Sequence, residues 1–226
     1  MDFLDPLFKR KKAPVKDADA PPQKGAARFF FLLSTHLTKL FEVNMLFLLF
    51  CLPIVTIPAA LSGLSRVCTL LMREGASSVW TDFIAEFKAS FTKSIVVFVA
   101  SVVFLPSAYL CIYIGRGMEG GALSFMLFAL AALIFFWSIL MTCYAYAMMS
   151  MCNLGAGAII RNAASLIFLE PKTDSFLLLF VGGSTVAFIW LLPYSVPAAL
   201  ILFSLLSLIA GVTVYDPITR RVIAPH

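Results

Sequence analysis

Charge is what this chain most lacks. Asp, Glu, Lys and Arg make up 13% of its 226 residues, against about a quarter in soluble domains. Hydrophobic residues reach 61%, and the mean hydropathy is +0.97. One globular core cannot hide so much apolar surface, so a soluble protein is excluded and an integral membrane protein is predicted. Histidine is nearly missing too. One of the two is His226, which leaves few ways to build an acid–base or metal centre. A Walker phosphate loop, a Gly-rich dinucleotide turn, H-E-x-x-H and G-x-S-x-G are all absent. The five cysteines, Cys51, Cys68, Cys111, Cys143 and Cys152, form no C-x-x-C pair and have no histidine at ligand spacing. They read as free thiols acting as small hydrophobes. No catalytic residue, cofactor or metal is assigned, and the chain is expected not to be an enzyme.

The net charge of +5 does not point to nucleic acid. Seven of the seventeen Lys and Arg fall in the first 28 residues, beside an apolar segment, which is the pattern of a membrane orientation signal. A cleaved signal peptide is not expected, because the basic start is long and the apolar run that follows is much longer than an h-region.

What is present is organised around residues 41–67, F-E-V-N-M-L-F-L-L-F-C-L-P-I-V-T-I-P-A-A-L-S-G-L-S-R-V. Pro53 and Pro58 lack a backbone donor and clash with the preceding turn, so the segment must bend there. Each arm is short against the roughly 20 residues that a bilayer core requires. Two readings stay open. In the first, a long helix from near Arg28 crosses and returns through 58–72. In the second, 27–41 lies on the membrane surface and 43–72 is a re-entrant pair of half-helices. Both leave Arg28 and Arg73 on one side.

The predicted fold is all-α, a polytopic transmembrane helical bundle with a proline-broken first helical hairpin and two cytoplasmic interfacial amphipathic helices. Residues 1–27 read as a disordered basic cytoplasmic tail. Residues 28–215 form a single transmembrane domain, with segments near 28–52, 58–74, 94–115, 122–150, 173–192 and 197–215, and 216–226 is a cytoplasmic tail. The last two spans are joined by 193–197, a hairpin. With this topology fourteen Lys and Arg lie inside and Arg116 alone outside, while Lys39 and Arg66 belong to the first unit. That bias places both termini in the cytoplasm of a bacterial inner-membrane protein. The amphipathic helices are 77–93, with Trp80, Phe83, Ile84, Phe87 and Phe91 on one face and predicted in the headgroup boundary, and 157–169, with Ile160, Ala164, Ile167 and Phe168 on one side.

Two groups of candidate functional residues follow. Glu42, Asn44 and Arg66 form a polar cluster in the broken hairpin. Arg66 inside a span costs about 2.5–3.5 kcal/mol unless partnered, and Glu42 is the nearest carboxylate in the apposed arm. Trp80, Asp82, Phe83, Phe87, Arg161 and Asn162 form a candidate cytoplasmic docking surface. The four later spans carry no Asp, Glu, Lys, Arg or His between Ile95 and Ile114, Ala122 and Cys152, Ser175 and Leu192, or Pro197 and Tyr215, which speaks against an ion-coupled pump.

N-M-L-F-L-L-F-C-L-P-I-V-T-I-P-A-A-L (44–61), R-E-G (73–75), W-T-D-F-I-A-E-F-K-A-S-F (80–91) and I-I-R-N-A-A-S (159–165) resemble the YesL-like family of small bacterial membrane proteins. The resemblance covers about 29–174. It rests on Asn44, Pro53, Thr56, Pro58, Arg73, Asp82, Phe83, Phe87, Arg161 and Asn162; the glycine usual before the second proline is absent. It implies a domain without assigned function, in proteins encoded beside carbohydrate ABC importers. The expected role is therefore a non-enzymatic accessory or regulatory component of carbohydrate import. The expected partners are the lipid bilayer and ABC importer permease or ATPase subunits, with no nucleic acid. The alternative is a stand-alone small-solute transporter or channel with its site at the broken first pair.

Overall fold

The computed structural model describes residues 25–75, 77–118, 120–192, 194 and 199–223. Helix α1, Gly25–Phe50, is bent at His36 (φ −121°, ψ 21°). A 3₁₀ turn, Ile54–Thr56, leads into α2, Ile57–Glu74, and Gly75 closes α2 in the left-handed conformation at φ 65°. Then follow α3, Val79–Ala89; α4, Phe91–Val102; α5, Leu105–Arg116; α6, Ala122–Met151; and α7, Ala156–Leu169. Helix α8, Pro171–Leu177, passes through a π-helical turn, Leu178–Gly182, into α9, Gly183–Trp190; α10, Ala199–Ile218, ends in a second π-helical turn, Thr219–Ile223. Among the described residues there is no strand. The all-α reading holds, and six helical stretches are long and apolar enough to cross a membrane.

Several boundaries differ from the sequence-based expectation. The expected tail lies outside the described residues as far as Lys24, and from Gly25 the chain is helical. The predicted span 94–115 is two helices, because Pro106 has no N–H to return to the carbonyl of Val102; Ser107 and Ala108 turn back onto the Phe104 carbonyl at 3.1 and 3.2 Å. The predicted tail after 215 continues as helix, with Pro217 inside α10 and a wider turn beyond it.

Two buried clusters hold the bundle. One joins Leu40, Val43, Leu46 and Phe47 of α1 to Leu64, Val67 and Leu71 of α2, Phe83 of α3 and Leu208 of α10. The other gathers the last third of α6, Leu140–Met149, with Ile159 and Leu166 of α7, Leu177, and Val214 and Ile218 of α10.

The register of α2 against α6 sets how far the first hairpin reaches. Ser65 Oγ donates to the Tyr146 carbonyl at 3.1 Å, and one turn further along both helices the hydroxyls of Thr69 and Ser150 meet at 2.7 Å. The two helices run parallel and in step. Helix α2 begins eight residues before Ser65, about 12 Å, and the 3₁₀ turn adds about 6 Å. Helix α6 begins twenty-four residues before Tyr146, about 36 Å. The tip of the first hairpin therefore stops about 18 Å short of the far end of α6. That tip is apolar and open: Leu52, Ile54 and Val55 are exposed, Ile54 by 80%.

Beyond the tip, α5 packs almost wholly on α6. Tyr109, Tyr113, Leu123, Phe125, Met126 and Leu133 stand exposed there, with Phe125 at 75%. Surface this apolar is stable in lipid and not in water, so the far half of α5 and α6 marks depth that the first hairpin does not reach. At the other end Lys39 donates to the Ser77 carbonyl at 3.3 Å, level with the end of α2. Only about twelve residues of α1, about 18 Å, lie between that charge and Phe50. The short reach of this hairpin is what the half-helix reading of 28–74 requires, with the bend at His36 instead of near Phe41, while Phe29–Phe50 and Ile54–Glu74 are each also long and apolar enough to cross, as the other reading requires.

Candidate polar cleft at the near end of the bundle

The near end is the one at which α2 and α6 finish. There the structure separates the predicted polar cluster. Asn44, fully buried, donates from Nδ2 to the Ala199 carbonyl at 2.6 Å and accepts from Ser204 N–H at 3.0 Å. It clips α1 to the start of α10. Arg66 points the other way, across α2 to α6, where Nη1 donates to the Ser150 carbonyl at 2.5 Å. Among the described residues no ion pair joins Glu42 to Arg66. The predicted pairing is corrected: a carbonyl at the end of α6 is nearer to the guanidinium than the carboxylate is. The expected outcome is that Arg66→Ala and Glu42→Gln lower folded yield independently. A double-mutant cycle on thermal midpoints in detergent should return a coupling within about 0.5 kcal/mol of zero.

Arg66 lines a cleft of about 370 Å³ together with Glu86, Ala89, Ser90, Lys93 and the stretch 149–153. Helix α3 folds back along α2, which brings Glu86 to Ser62: Glu86 Oε1 accepts from Ser62 Oγ at 3.1 Å and from Ser90 Oγ. Lys93 enters from the first turn of α4. Cys152, on the cleft wall, feels the same field. Burial pushes its thiol above the ordinary value, while the charges of Arg73 and Lys93 pull it down. A second cleft, about 180 Å³ between α2, α6 and α10, is lined mainly by Leu61, Leu64, Phe203, Leu206 and Ala210 and carries no ionised group.

The residues of the predicted docking surface divide between exposed and buried positions. Trp80 (54% exposed) and Arg161 face outward, and Asn162 is half-buried. Phe83 is fully buried, and Phe87 is half-buried with its ring 4.9 Å from Phe50. The aromatic face of α3 thus packs onto α1 and α2 and not into a headgroup layer, because the small residues Ala59, Ala60, Ser62 and Gly63 leave room for it. Asp82 acts locally. Its Oδ2 accepts from Ser77 Oγ and Ser78 N–H, both at 2.8 Å, which fastens the start of α3. On α7 the buried stripe is Ile159, Ala163 and Leu166, one position off the predicted one, and Phe168 is 75% exposed against Trp137.

Sequence reasoning does not find Glu86, Ser90, Lys93, Ser150 and Asn153. Their one visible signal is position. Glu86 and Lys93 sit seven apart at the entrance to an uncharged run, and Asn153 follows the end of another.

A family profile described as "Protein of unknown function, DUF624" matches residues 40–110, under a third of the chain. The match covers the first hairpin, α3, α4 and the first half of α5, and so includes Arg66, Glu86 and Lys93. No curated protein and no solved structure matches the chain. The chain is thus a multi-pass membrane protein in which residues 40–110 are similar to a family without assigned function.

Proposed function

We propose that this chain is a non-enzymatic accessory or regulatory component of an ABC-type carbohydrate importer in the bacterial inner membrane, with both termini and the near end of the bundle in the cytoplasm. The observation that carries the reading is the near end itself. Helices α3 and α7 follow the parallel helices α2 and α6 there, and they present Trp80 and Arg161 outward. Exposed tryptophan and arginine are the residue types that protein interfaces favour. The link to carbohydrate import rests on the resemblance described above. The uncharged spans support a role without its own ion coupling.

Co-purification in mild detergent tests this. Tagged protein is expected to recover an importer permease or ATPase, and Trp80→Ala with Arg161→Ala should cut recovery about tenfold or more without changing elution as a monodisperse species. Recovery of no importer subunit, combined with solute flux through the purified chain alone in liposomes, would replace this reading with that of a transporter.

A further inference from the structure

We propose that the Arg66–Glu86–Lys93 cleft binds a phosphate ester that also carries an ammonium group, the phosphoethanolamine class, with phosphate between Arg66 and Lys93 and ammonium on Glu86. Three charged side chains from α2, α3 and α4 face one cleft of about 370 Å³. Each keeps polar atoms that no described residue engages. Arg66 uses only Nη1, on Ser150; Lys93 Nζ donates to no described residue; Glu86 receives both serine hydroxyls on Oε1, leaving Oε2 open. Opposite charges lining one space would ordinarily close into an ion pair, yet among the described residues neither cation reaches Glu86. The space between them fits a ligand with both signs of charge. A simple anion would meet the Glu86 carboxylate, and a simple cation would meet two positive groups. A zwitterion satisfies all three.

The level of the cleft agrees. Lys93 precedes the uncharged run of α4, and Met149, Met151 and Asn153 line the cleft where uncharged α6 ends, which is where headgroups lie beside an apolar span. Two sources can supply this chemistry, a membrane lipid or a soluble phosphoethanolamine. The site stands whether or not the chain docks on an importer.

The test is native mass spectrometry of the full chain released from nanodiscs holding equal amounts of phosphatidylethanolamine and phosphatidylglycerol. A parallel arm adds soluble phosphoethanolamine to lipid-depleted protein. The intact chain should retain phosphatidylethanolamine over phosphatidylglycerol by about tenfold, the effect of one charge-assisted contact. Glu86→Gln, isosteric and able to keep both serine bonds, should abolish that preference or invert it. Lys93→Gln should lower retention of both lipids. Saturable binding of soluble phosphoethanolamine, lost in Glu86→Gln, would assign the same chemistry to a soluble ligand. Equal retention of the two lipids by the intact chain without such soluble binding, or binding unchanged in both variants, overturns the proposal. Thermal midpoints of the variants, measured alongside, separate lost binding from lost folding.

Discussion

Replacing Gly63 by Val is expected to lower the thermal midpoint in detergent by several degrees and to reduce monodisperse yield sharply. Gly63 lies in the middle of α2, where the aromatic face of α3 packs. A Cβ there would stand 2.9 Å from Phe83 Cδ2, 3.0 Å from Cε2 and 3.1 Å from Cγ. Phe83 has no free volume to yield: it is fully buried, with Phe50 at 5.5 Å on one side and Phe87 stacked at 6.4 Å. Overpacking of this kind costs about 1–3 kcal/mol. An alanine gains back about 1 kcal/mol of helix propensity over glycine, so Gly63→Ala should be milder than Gly63→Val, whose branch sits on the crowded atom. If the ring is what resists, Phe83→Leu in the Gly63→Val background restores stability, with a coupling of at least about 1 kcal/mol. Additive losses would place the strain elsewhere and remove the account of how α3 closes onto α2.

That contact also shows where sequence reading stops. The periodicity of Trp80, Phe83 and Phe87 identifies an amphipathic helix correctly, but a pattern on one helix does not say what lies opposite it. Lipid headgroups and a strip of small residues ask for the same aromatic face. The strip is visible in the sequence, as Ala59, Ala60, Ser62 and Gly63 in α2, and it decides the matter only once α3 is known to fold back along α2. Pairing is harder still. Glu42 and Arg66 sit on adjacent arms, so their places in the chain suggest an ion pair; a carbonyl on α6, more than eighty residues away, takes the guanidinium instead. Asn44 stands out for its polarity, and its partners on α10 are invisible in the sequence for the same reason. By contrast the helical class, the six apolar stretches and the bend at the two prolines follow from composition and local stereochemistry alone, and those agree with the structure.

The register of α2 on α6 carries the largest consequence. With Ser65 beside Tyr146 and Thr69 beside Ser150, the rise of the two helices puts the prolines at the hairpin tip level with the middle of an uncharged 30-residue helix. No charged residue occurs from Val43 to Ser65, and the exposed tip offers Leu52, Ile54 and Val55. An aqueous loop would leave that surface in water; a tip within the bilayer leaves it in lipid, its backbone closed by the 3₁₀ turn and by the Thr56 hydroxyl, which donates to the Phe50 carbonyl at 2.5 Å. The same geometry holds Arg66 and Lys93 at one level near the end of the bundle, where the cleft forms.

The depth of the tip is therefore the measurement that tests this account most directly. In a chain whose five cysteines are replaced, a spin label at Val55 in nanodiscs should be open to oxygen and shielded from a water-soluble nickel chelate, as for a site near the bilayer centre. A label at Met118 should be open to the chelate, and in intact cells a membrane-impermeant maleimide should modify Met118→Cys and leave Val55→Cys untouched. Modification of Val55→Cys from outside as readily as Met118→Cys would contradict the account, because the first hairpin would then cross the membrane and the register on α6 would be wrong.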